Sequence, residues 1–166
     1  SAMAIAAVTG AKFVRVNVLS GARLTDQGII QGISYPLARL RANLGANDVL
    51  IMADVDVKHS APIAPCDPLI EAEEMVERGG AGAIIITGST TGRAANSALL
   101  DGLRKHVSVP LVIGSGVTAQ SATELAAKAD AFIVGTSLKE NGDIRQPVEL
   151  ARVEELMKVV RAARAK

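Results

Sequence analysis

The stretch Phe13-Val14-Arg15-Val16-Asn17-Val18-Leu19 alternates without a break, with Val14, Val16 and Val18 on one side and Arg15 and Asn17 on the other. Period two is the signature of a strand whose two faces meet different surroundings. Residues 49–57 repeat the pattern: Ile51, Ala53, Val55 and Val57 stand opposite Met52, Asp54, Asp56 and Lys58. The apolar run Ala83-Ile84-Ile85-Ile86-Thr87 reads as a third strand. Val112-Ile113 and Phe132-Ile133-Val134, each running into a Gly/Ser/Thr turn, make a fourth and a fifth.

Helical periodicity fills the intervals. Residues 36–44 end at Gly45, and residues 68–78 carry Leu69, Ala72, Met75 and Val76 on one stripe before Gly79-Gly80. Residues 97–106 carry Leu99, Leu100 and Leu103, and Thr118 is placed to cap 119–128. Residues 147–164 space Leu150, Val153, Leu156, Val159 and Val160 as a helix does, and 1–8 read as the end of another helix. Strand and helix in alternation mean βα units and a parallel sheet.

Two architectures accept five such units: a five-stranded doubly wound open parallel sheet, or the later five βα units of a (β/α)8 barrel. Strands of an open doubly wound sheet are apolar on both faces because helices cover both. Charged and amide residues alternating with valines in 13–19 and 49–57 fit a barrel, where one face meets helices and the other lines the interior. A complete barrel takes eight strands and about 250 residues. The 166-residue chain is therefore expected to be a single βα-repeat domain, the C-terminal portion of a barrel truncated at its N-terminus. Two open sheet edges then predict self-association or a missing N-terminal segment that covers them.

Composition narrows the chemistry. Eighteen Lys and Arg against seventeen Asp and Glu leave a net charge of +1, and Tyr35, Phe13 and Phe132 are the only aromatic residues. A nucleic-acid partner would need a basic surface and stacking platforms, so none is expected. No run approaches the roughly 20 apolar residues of a membrane span. The expectation is a cytoplasmic protein, with membrane contact at most peripheral. The lone Cys66 rules out an intrachain disulfide and a cysteine-based zinc site, and its neighbours Pro65, Asp67 and Pro68 supply no activating base.

Asp54, Asp56 and Lys58 share a face of one strand, spaced roughly 6.6–7 Å apart along it. At the C-terminal end of a barrel strand such a row points into the catalytic mouth. Asp56 and Lys58 are candidates for proton transfer in a lyase or isomerase, helped by Asn17 or His59. The structural alternative is that Arg15, Asp54, Asp56 and Lys58 neutralise one another, and it is preferred for the deeper Arg15 and Asp54. Two histidines offer no transition-metal site; Mg2+ on Asp54 or Asp56 is the metal the residues accommodate. His106, ending a helix, reads as favourable helix-end electrostatics.

Gly114-Ser115-Gly116 and Gly135-Thr136-Ser137 follow adjacent strands, and the loops after strands 7 and 8 of barrels frequently hold a phosphate. They predict a phosphate-binding site for a phosphorylated small molecule. Thr87 and Gly88, opening a Gly/Ser/Thr-rich loop, and Thr25, Asp26 and Gln27, in a glycine-punctuated segment over 17–28, are candidate substrate-loop residues.

Together, FVRVNVLSGARLTDQG (13–28), ADVDVKHSAPIAP (53–65), Thr87-Gly88 with Thr91-Gly92, GSGV (114–117) and VGTSLK (134–139) resemble the BtpA family. The resemblance spans essentially the whole chain. It implies a barrel of the ribulose-phosphate-binding type, aligned here with the later five units. Photosynthetic members of that family are associated with accumulation of photosystem I reaction-centre proteins at thylakoid membranes, which gives a second expectation: a non-enzymatic assembly or stability factor, peripheral at a membrane. Related barrels include decarboxylases with an Asp-x-Lys-x-x-Asp signature. Asp56-Val57-Lys58 matches its start, but Ala61 stands where the last carboxylate belongs, which argues against decarboxylation.

Overall fold

The structure is a computed structural model that describes residues 1–57, 59–87 and 97–165. In chain order its elements are α1 (Ala2–Thr9), β1 (Phe13–Val16), β2 (Ala22–Thr25), β3 (Gly28–Gln31), α2 (Ser34–Asn43), β4 (Leu50–Val55) and β5 (Ser60–Pro62). There follow α3 (Pro68–Glu77), β6 (Ala83–Ile86), α4 (Ser97–His106), β7 (Leu111–Ile113), α5 (Ala119–Ala126), β8 (Ala131–Phe132) and α6 (Leu150–Arg164). Three-residue 3-10 turns at Thr136–Leu138 and Glu140–Gly142 lie between β8 and α6.

The expected five strands form one sheet, all parallel, in the order β1-β4-β6-β7-β8. Chain order and spatial order coincide, so the sheet has no switch point. Helices from all six segments bury residues in a single cluster: Met3, Leu37, Met75, Leu100, Leu125 and Leu156 meet Val14, Val16, Ile51, Ala53, Ile84, Ile86 and Ile113. The register places these strand residues on one face, with Val14 opposite Ile51, Ala53 opposite Ile84 and Ile86 opposite Ile113. A doubly wound sheet would carry helices on both faces. The single-sided winding is that of a barrel wall, and the open-sheet alternative is set aside.

The other face carries its own small cluster of Ala83, Ile85 and Val112, packed with Leu50, Met52, Ala131 and Ile133. Arg15, Asn17 and Asp54 belong to this inner face by alternation. Local signals fix the surrounding helices: Asp67 caps α3 by accepting from Leu69 N at 2.9 Å, with Pro68 in its first turn. Thr118 and Ser121 make a reciprocal capping box on α5.

Two features depart from expectation. Residues 17–28 do not form one long loop. β2 and β3 pair as a hairpin around Asp26-Gln27, and β5 adds to β2, giving a second, antiparallel sheet in the order β3-β2-β5. The second strand ends at Val55 rather than at 57 because Asp56 takes φ +50, a conformation that aspartate tolerates but a strand does not contain. Asp56 therefore leaves the period-two row that Asp54 stands in. Lys58 and Gly88, with the rest of 88–96, lie outside the described residues.

Candidate phosphate cleft

Gly114, Ser115 and Gly116 follow β7, and Gly135, Thr136 and Ser137 follow β8; all six line one cleft of about 400 Å³. Val117, Thr118, Ile133, Val134 and Gly142 complete its wall. The N–H groups of Ser115, Gly116, Gly135, Thr136 and Ser137 find no acceptor among the described residues. Gly116, at φ +75, gives the first turn a backbone that an L side chain would strain. Ser137 Oγ donates to Val117 O at 2.7 Å, which straps the two turns together and commits the hydroxyl proton of Ser137 to the protein. Ser115 and Thr136 keep their hydroxyls free of partners among the described residues.

Gly114 is glycine for a packing reason. A Cβ there would stand 2.6 Å from Ile85 Cγ2, 2.9 Å from Thr87 Cγ2 and 3.4 Å from Arg15 Nη2. By contrast, a Cβ on Gly135 would meet nothing within 4 Å, so its side of the cleft is open space.

On the inner face Arg15 and Asp54 form the pair that alternation suggested. Arg15 Nε donates to Asp54 Oδ1 at 2.9 Å and Nη2 to Oδ2 at 2.8 Å. The Asp54 side chain is 3% exposed and that of Arg15 35%. Burial pushes the Asp54 carboxyl above its ordinary value by more than the Arg15 guanidinium pulls it down. Both Asp54 oxygens face Arg15, which leaves this residue poorly disposed to hold Mg2+. Among the described residues no group of three or more His, Cys, Asp or Glu could hold a metal ion.

The remaining candidates are more scattered. Thr87 is buried, and its hydroxyl donates to Asp56 O at 3.4 Å, joining the ends of β6 and β4. Asn17 lies just past β1, Asp56 just past β4, and His59, at φ +58, in the turn before β5. No hydrogen bond or ion pair joins these three side chains among the described residues. Thr25 closes the β2–β3 hairpin by accepting from Gln27 N at 3.1 Å and donating to Gly28 O at 3.0 Å, while Asp26 and Gln27 are exposed at the tip. None of the three lines the glycine cleft.

Sequence reading missed Arg23, which lay in the supposed loop. It is 4% exposed and donates through Nη2 to Glu71 Oε1 at 2.8 Å and Oε2 at 2.6 Å, clamping the antiparallel sheet to α3. Partial burial, then the Glu71 carboxylate, push the nearby Cys66 thiol up, away from a reactive thiolate. His106 ends α4 beside Arg104 and Lys105, its Nδ1 3.0 Å from Gly102 O.

The family model of the BtpA family matches residues 1–162. The chain belongs to the BtpA family. An uncharacterised relative from Pyrococcus furiosus is 40% identical over 158 residues, which are 95% of this chain and 59% of that protein. The photosystem I biogenesis protein BtpA of Synechocystis is also 40% identical, over 92% of this chain and 53% of its own. This BtpA family chain thus spans less than two thirds of the length of these curated relatives. Among solved structures, a thiamine phosphate pyrophosphorylase from Pyrococcus furiosus aligns with a TM-score of 0.58 at 22% identity, over 97% of this chain and 65% of that one. At that identity the likeness is one of fold, and the fold is that of TIM-barrel proteins. Among the described residues no helix is long and apolar enough to cross a membrane.

Proposed function

We propose that this chain is the phosphate-holding part of a barrel that binds, and in the longer family members converts, a small phosphorylated metabolite. The observation that carries this reading is the cleft between the two glycine turns, where several backbone N–H groups and two hydroxyls have no partner among the described residues. Converging N–H groups form a concavity suited to an oxyanion, and they bind it without a basic side chain. Asp56 just past β4, with Asn17 and His59, is a supply of proton donors and acceptors at the same end of the strands, and Lys58, outside the described residues, is the further candidate that the sequence offers. A lyase or isomerase acting on a sugar phosphate or phosphorylated heterocycle uses such a set.

Thermal unfolding in millimolar inorganic phosphate and ethyl phosphate tests this reading. A ligand at a hundredfold excess over Kd stabilises by about 2.7 kcal/mol, several degrees for a domain of this size. Gly135→Asp places a carboxylate in the open side of the cleft and is expected to abolish the shift. No shift with either anion removes the reading.

The name of the Synechocystis relative favours a second reading, an assembly factor that binds protein at a membrane surface. It predicts co-purification with a membrane-associated complex that survives Gly135→Asp.

A further inference from the structure

Arg15 uses only one edge of its guanidinium on Asp54. The Nε and Nη2 atoms face the carboxylate, whereas the Nη1–Nη2 edge makes no hydrogen bond among the described residues. Guanidinium carries five donors in a rigid planar fork, and its second edge fits a carboxylate bidentately. Asp54 behind it, 3% exposed, holds the plane in place as a buttress. Nη2 reaches the β7 end of the inner face, 3.4 Å from where a Gly114 Cβ would be, and Gly114 opens the first turn of the phosphate cleft. Among the described inner-face residues Arg15 is the one cation, and the cleft itself is lined by none.

We infer that the ligand carries two anionic groups: a phosphate on the glycine turns and a carboxylate, or an equivalent planar oxyanion, that Arg15 grips through its free edge. The inference rests on the phosphate reading above. A ligand anchored on the glycine turns and extending toward the barrel axis approaches this guanidinium, the one cation among the described inner-face residues. Arg15 then selects phosphorylated acids over phosphorylated alcohols, with its orientation fixed by Asp54.

Titration calorimetry of this chain with ethyl phosphate, 2-phosphoglycolate and glycolate tests it. Phosphoglycolate is expected to bind at least about tenfold more tightly than ethyl phosphate, the size of one charge-assisted bidentate contact. In the double variant Arg15→Gln with Asp54→Asn, which keeps a neutral hydrogen-bonded pair and strands no buried charge, the ratio should fall toward one. Arg15→Lys keeps the charge without the fork and should fall between. A wild-type ratio near one, a ratio that survives the double variant, or loss of ethyl phosphate binding in that variant overturns the inference and leaves the phosphate reading standing. Failure of wild type to bind either ester overturns both.

Discussion

Arg15 stands on the first strand of the sheet and Gly114 directly follows the fourth, yet Arg15 Nη2 comes within 3.4 Å of the position a Gly114 Cβ would occupy. Three strand spacings of a flat sheet cover roughly 14 Å. An arginine crosses that interval, with Asp54 as a stepping point on β4, because the wall is curved and its inner face concave. The contact joins the inner wall of the sheet to the first glycine turn of the cleft.

Gly114→Ala tests how tightly the inner face packs at this turn. The added methyl meets two branched side chains, Ile85 and Thr87, at 2.6 and 2.9 Å. Overpacking of this kind costs about 1–3 kcal/mol, read as a lower urea midpoint with unchanged slope. Gly135→Ala, where a Cβ meets nothing within 4 Å, is expected to stay within about 0.5 kcal/mol of the parent.

The period-two run from Phe13 made the barrel wall legible, because alternation alone reveals that one sheet face has helices and the other does not. The paired glycine turns were legible too, since their loops follow neighbouring strands in a parallel sheet. The β2–β3 hairpin was hidden. Its turn residues Asp26 and Gln27 lack the Asn-Gly or Asp-Gly signal, and Gly28 at φ +98 comes after them. The end of β4 was hidden for a related reason: nothing in Val55-Asp56-Val57 announces a left-handed aspartate. Arg23, read as loop, needed the tertiary contact with Glu71 to show itself as buried.

That contact predicts a large effect. Removing one partner of a buried ion pair leaves an uncompensated charge, at a cost of about 3–5 kcal/mol. Glu71→Ala is expected to lose that much in denaturant unfolding, the more so because Arg23 Nη1 has no partner among the described residues. The double variant Arg23→Met with Glu71→Leu should recover most of the loss. Equal destabilisation in both would show that the clamp matters through packing alone.

Asp130 supplies the pH dependence. Its Oδ2 accepts from Leu111 N at 2.7 Å and from Arg104 Nη2 at 2.8 Å. Partial burial pushes the carboxyl up, but these bonds and the Arg104 and Arg164 charges together hold it below its ordinary value of 3.8. A depressed folded value means that Asp130 stabilises the protein fully above 3.8 and loses that contribution as pH falls through the lower folded value. Asp130→Asn should therefore lower stability at neutral pH and flatten the acid limb of a stability-pH profile below about pH 4. An unchanged acid limb would assign the acid sensitivity to other carboxylates.

The outer edge of β1, unpaired among the described residues, predicts association. β1 is the outermost strand of the sheet, and a groove of about 470 Å³ runs along it, lined by Met3, Val16, Ile33, Leu37 and Leu40 among others. Phe13, on the same strand, is 50% exposed. Unpaired strand edges beside apolar surface recruit another chain, and natural proteins blunt them with lysine. The 166-residue chain is therefore expected to sediment as a concentration-dependent oligomer, and Phe13→Lys to shift it toward monomer without lowering its helix content. A monomer at every concentration in the parent chain would mean that the edge is closed by the chain itself.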